Sequence, residues 1–88
     1  MEDKTFEVYR ELSCSLNGEI RDGCLHLASE VWGAYDSEQY INFDKENTDK
    51  LFSLISLDDF VILCKKEHLI GLNKYLDANG IDRKTFTI

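Results

Sequence analysis

Residues 5–16, TFEVYRELSCSL, alternate apolar and polar side chains along their whole length. Phe6, Val8, Leu12, Cys14 and Leu16 fall on one face, with Arg10 the single intruder. Thr5, Glu7, Glu11, Ser13 and Ser15 fall on the other, together with Tyr9. A period of two is that of a half-buried strand, since successive side chains of an extended chain point to opposite sides. Asn17-Gly18 then supplies a turn dipeptide. A second alternating run, CLHLASEVW (24–32), sets Leu25, Leu27 and Val31 against Cys24, His26, Glu30 and Trp32. Gly33 and the Asp36-Ser37 pair break it, and a third short run, QYINF, follows (39–43). The expectation is a three-stranded antiparallel meander, solvated on one face and packed on the other.

Beyond residue 43 the spacing becomes helical. In DKENTDKLFSLI (44–55), Asp44, Asn47 or Thr48 can cap, and Leu51, Leu54 and Ile55 form an i, i+3, i+4 stripe. Ser56-Leu57-Asp58-Asp59 has the form of a capping box, with Asp in place of Glu, ahead of FVILCKK. The cap before that apolar run and the lysines after it favour a helix over a buried strand. In EHLIGLNKYLDAN (67–79), Leu69, Leu72 and Leu76 align with Tyr75 beside them. Gly71 weakens this helix by up to ~1 kcal/mol unless something packs close to it. Gly80 followed by Ile81 is the pattern of a left-handed C-cap with its apolar contact. The tail RKTFTI alternates again, Phe86 and Ile88 against Thr85 and Thr87, and should return to the sheet. The whole predicts an α+β fold in one domain, residues 1–88. The meander comes first, then two or three helices packed on one sheet face, then a short C-terminal strand.

Eighty-eight residues bury a modest core, which a deep cofactor site would have to share. The longest strictly apolar run, Phe60 to Cys64, is far short of a membrane span. The opening MEDKTFEVY carries acids where a secretory signal would carry bases, so a cytoplasmic location is expected. Cys14, Cys24 and Cys64 are odd in number and form no C-x-x-C, which fits reduced thiols. The formal charge is −7, and residues 1–50 hold all of the excess, with twelve acids against five bases. That imbalance opposes binding to phosphate backbones, so no nucleic acid is expected, and favours a basic protein partner.

Chemistry finds little support. Cys24 and His26 share a strand face, half of a zinc site, and no second half is spaced to complete it. There is no G-x-S-x-G, and the five glycines are dispersed singly rather than gathered in a phosphate-binding loop. No catalytic residue, metal or cofactor is expected, and the chain is read as a non-enzyme.

The stretch EVWGAYDSEQY (30–40) packs Trp32, Tyr35 and Tyr40 among Glu30, Asp36 and Glu38. Trp and Tyr bury much area at little entropy cost and dominate binding hot spots, while carboxylates around them would meet lysines and arginines. Glu7, Tyr9 and Glu11 repeat the acid–ring–acid chemistry on the polar face of the first strand. These nine residues form the expected partner-binding surface.

The segments YINFDKENTDKLFSLI and SLDDFVILCKKEHLIGLNKYLDANGI are similar in style to small bacterial proteins found near toxins. The chain resembles in type the small acidic immunity proteins of toxin–immunity systems, including those of contact-dependent growth inhibition. That resemblance implies an inhibitor that caps a basic toxin, such as a nuclease, with an acidic, aromatic surface. The alternative is a small adaptor, or a homodimeric subunit that pairs through the same face.

Overall fold

A computed structural model describes all residues from Met1 to Ile88. The element order is β1 (Lys4–Arg10), β2 (Cys14–Arg21), β3 (Cys24–Val31), β4 (Ser37–Asn42), α1 (Lys45–Leu54), α2 (Leu57–Ala78) and β5 (Lys84–Thr87). The strands form one antiparallel sheet in the order β1-β2-β3-β4-β5. The α+β class, the meander and the C-terminal strand agree with expectation. The meander has one strand more than expected, and the helices number two.

The extra strand comes from residues 5–16, which are a hairpin rather than one strand. The chain reverses at Leu12-Ser13, where the Glu11 N–H donates to the Cys14 carbonyl (2.8 Å). Leu12 therefore sits at the tip, 99% exposed, instead of in the core. The alternation runs through the reversal unbroken, so period alone does not betray it. Asn17-Gly18 is correspondingly no turn but the middle of β2. Gly18 lacks a side chain because the Phe6 ring from β1 lies on it, and a Cβ there would collide with that ring. The true β2–β3 turn is Asp22-Gly23, with φ of 54° and 77°, the positive values of a type I′ hairpin.

β1 is also bulged. Glu7 lies opposite Asn17 but Tyr9 lies opposite Leu16, so Val8 is the extra residue. The bulge turns both Val8 and Tyr9 toward the helices, which corrects the assignment of Tyr9 to the polar face.

The helices start where their caps demand. Asp44 Oδ1 accepts from the Asn47 N–H (2.8 Å), and Ser56 Oγ accepts from the Asp59 N–H (3.1 Å). α2 ends in a Schellman motif: Gly80, at φ 65°, donates to the Asp77 carbonyl (3.2 Å) and Ile81 donates to Leu76 (2.9 Å). Ile81 then plugs into the core at 1% exposure. The two helical segments expected after Ser56 are a single element with a break at His68 (φ 56°, ψ −160°). That backbone region belongs essentially to glycine, and holding a histidine there costs on the order of 1–3 kcal/mol. The break folds Glu67 against Gly71, where a Cβ would meet the Cβ of Glu67. Gly71 is thus the residue that permits the kink.

Leu16, Ile20, Leu25, Leu27 and Ile41 of the sheet close on Leu51, Phe60, Cys64, Leu72 and Leu76 of the helices. Leu54, counted in the α1 stripe, is instead half exposed. The buried Thr48 ties α1 to β3, its Oγ1 accepting from the Leu25 N–H (3.0 Å). Asp82 N–H to Asn47 (2.9 Å) and Arg83 to Asp77 (2.7 Å) guide the chain from α2 into β5.

The hairpin tip is fastened to the α2 break. His68 Nε2 lies 2.9 Å from Glu11 Oε1, and its ring meets Tyr9 edge-on at 5.0 Å. The hydrogen bond from His68 is the main cause that holds the Glu11 carboxyl below its ordinary value of 4.5. A group depressed in the folded state adds stability above its unfolded pKa and loses it as the pH falls through the folded one. Glu11→Gln should therefore lower the melting temperature at about pH 6, and its deficit should shrink below about pH 4.5. Thermal melts of both proteins across that range check this; a deficit that stays constant to about pH 3 excludes an ionised Glu11 as its source.

Candidate functional site

Both helices lie on one side of the sheet, α2 against β1 and α1 against β3. The other side has no cover. The register of the five strands arranges its outward side chains in rows. One row runs Thr5, Glu19, His26, Asn42, Lys84. The next runs Glu7, Asn17, Ala28, Tyr40, Phe86. The third runs Arg10, Ser15, Glu30, Glu38 and ends at Ile88, whose N–H donates to the Glu38 carbonyl (2.9 Å). Trp32 continues the face beyond β3, with its N–H bonded to the Ser13 carbonyl (3.0 Å).

Small side chains at Asn17 and Ala28 leave a hollow of about 720 Å³, flanked by Tyr40 and Phe86. Tyr40 and Phe86 stack at 5.3 Å with 24° between their planes. The Tyr40 hydroxyl donates to Glu38 Oε2 (2.8 Å), and that bond is the main cause raising its pKa, ahead of burial and the charges of Glu38 and Glu30. His26 Nδ1 lies 2.8 Å from Asn42 Oδ1, and Arg21 pairs with Glu19 at 3.1 Å.

At the end of the sheet a smaller notch of about 370 Å³ is lined by Glu30, Trp32, Asp36 and Glu38 with Val31 and Ile88. Glu30 and Glu38 stand directly across from each other on β3 and β4. Like charges in that position repel. None of these three carboxylates joins an ion pair with a base of this chain. Asp36 instead shapes the loop, its Oδ1 accepting from the Gly33 N–H (3.1 Å). The Arg10 guanidinium stands 5.8 Å from the centre of the Trp32 ring, within cation–π range.

The structure thus gathers Glu7, Glu30, Trp32, Glu38 and Tyr40 on one uncovered face, with Asp36 at its end. Tyr35 projects from the neighbouring loop, 89% exposed. Tyr9 and Glu11 do not join them. The bulge sends Tyr9 to the helix side, and Glu11 leaves the sheet at the hairpin tip, where it holds His68. Phe86 and Arg10 belong to the face although neither was expected there. Their parity was visible in the sequence, but the side they take depends on the β4–β5 register and on the bulge.

Cys24 and His26 do share the uncovered face, and no group of three or more His, Cys, Asp or Glu side chains converges as metal ligands. No helix is long and apolar enough to cross a membrane. No family model matches the chain, and comparison with curated proteins and with solved structures finds no match.

The three thiols are free and differ in setting. Burial pushes Cys64 up to about 12, and Cys14 is raised by burial and then by the charge of Glu11. A thiol with a pKa of about 12 is ionised to only about one part in ten thousand at about pH 8, and the thiolate is the reactive form. Ellman titration at that pH should leave Cys64 unmodified in the native protein and release its equivalent only in denaturant. Rapid native labelling of Cys64, located by peptide mass, would show that the core around it opens.

Proposed function

We propose that the chain is a protein-binding inhibitor of the immunity-protein kind, which caps a basic toxin with the uncovered face of its sheet. What carries this is one observation: the face left bare by the helices bears half-buried rings beside carboxylates that form no ion pair with a base of the chain. Trp32 and Tyr40 supply apolar area that water solvates poorly. Glu30, Asp36 and Glu38, with Glu7 across the hollow, supply sites for lysine or arginine.

The chemistry suits a toxin whose own cationic site takes phosphate. Carboxylates that occupy its lysines and arginines exclude the substrate by charge and by bulk together. A net charge of −7 steers such a partner inward, so association should slow as salt rises. Trp32 already holds Arg10 near its ring, which is the geometry a partner's guanidinium would adopt there. A non-enzymatic role of this sort needs no metal or cofactor.

The test starts with affinity capture of a basic protein from native lysate, retained at low salt and shed at high salt, followed by titration of that purified protein. Trp32→Ala should weaken binding by about 2 kcal/mol or more, the loss typical of a hot-spot ring. Glu30→Lys and Glu38→Lys should weaken it further and flatten the salt dependence. Folded variants at all three positions that bind as tightly as wild type would remove the assignment.

A further inference from the structure

The two edges of the sheet are not equivalent. β1 is blunted in the ways that natural edges are: a bulge at Val8 interrupts its line, and Lys4, Glu7 and Arg10 charge it. β5 has none of this beyond Lys84. Its residues are exposed on both sides, because neither helix reaches over it. Phe86 is still 48% exposed after stacking on Tyr40, and Ile88 is 76% exposed.

We infer that β5 is a self-pairing edge, on which a second copy of this chain adds antiparallel through its own β5. The hydrogen-bond parity sets the register. The Ile88 N–H bonds inward to β4, so Lys84 and Phe86 bond inward as well, and Thr85 and Thr87 turn their N–H and C=O groups outward. A twofold pairing that uses those groups sets Thr85 of one copy against Thr87 of the other, each pair exchanging both bonds. Phe86 then falls on the axis opposite the second copy's Phe86, in a non-hydrogen-bonded pair where side chains approach most closely. The Tyr40–Phe86 stack becomes a four-ring ladder across the interface.

Charge fits the same register. Lys84 faces the second copy's apolar Ile88 rather than another lysine, and beyond Ile88, on β4, lies the second copy's Glu38. That carboxylate forms no ion pair within its own chain, and Lys84 forms none either, its charge reaching Asp44 only from a distance. The axis is perpendicular to the sheet, so both uncovered faces end on the same side of one continuous ten-stranded sheet (five strands from each copy). The pairing draws on Tyr40 and Glu38 of the face proposed to bind the partner, and its test reads self-association rather than partner binding.

Sedimentation equilibrium from micromolar to millimolar concentration should show reversible doubling of mass. Thr87→Pro removes an outward N–H and none of the bonds to β4, so it should keep the native circular dichroism and weaken the dimer by at least about tenfold. Mild oxidation of Phe86→Cys should join two copies through that position, because Cα atoms about 4.5 Å apart suit a disulfide. Thr87→Cys, which faces Thr85 of the other copy, should not join to itself. A chain that stays monomeric throughout overturns the inference, whatever else then binds the edge. So does a dimer indifferent to Thr87→Pro, or self-linkage at 87 in preference to 86. Should Thr87→Pro fail to fold, the contrast between the two cysteine variants decides alone.

Discussion

Everything in this fold depends on the contact between one sheet face and the two helices. Leu16, Ile20, Leu25, Leu27 and Ile41 have their apolar area removed from water only because Leu51, Phe60, Cys64, Leu72 and Leu76 arrive over them. A chain of 88 residues has enough apolar side chains to seal one such layer and not two. The consequence is geometric. Once the helices commit to one side, the other side of a five-stranded sheet remains in water, and its side chains answer to solubility or to a partner rather than to folding. The hairpin tip reinforces this commitment, since Glu11 and Tyr9 hold the one strained turn of α2 in place.

Much of that architecture was legible. The caps at Asp44 and Ser56 and the Gly80-Ile81 exit are local signals, each set by unsatisfied backbone groups at a helix end, and the structure uses all of them. The face of β3 was legible too, because Leu25 and Leu27 alternate with polar residues across a full strand. Failures came where a tertiary contact overrode a local rule. Asn17-Gly18 carries a turn dipeptide, yet its glycine exists to admit the ring of Phe6. Leu12-Ser13 carries only a serine, a weak turn former, yet the chain reverses there. The Asp22-Gly23 pair was the better turn signal, with both positive φ values to match.

The candidate site was legible in the same proportion. Trp32, Glu30, Glu38 and Tyr40 come together because they sit on strands whose parity reads cleanly. Tyr9 was misplaced by one inserted residue, since a bulge inverts the face of everything after it. Phe86 was missed for a related reason: a four-residue strand has too little alternation to declare which side is wet.

The acid pair bears most directly on what this surface is for. Glu30 and Glu38 face each other across a ladder, a placement that costs stability and that a neutral residue at either position would relieve. The Tyr40 hydroxyl satisfies one carboxylate oxygen of Glu38 and cancels no charge. Beside them Trp32 leans on Arg10 and walls a notch it does not fill. Folding gains nothing from acids opposed in this way or from rings left half in water. Sequences are locally consistent where folding alone selects them, and local conflict concentrates where something else is bound. The conflict here has one sign and one location, and on the reading proposed above a lysine or arginine of the partner would resolve it.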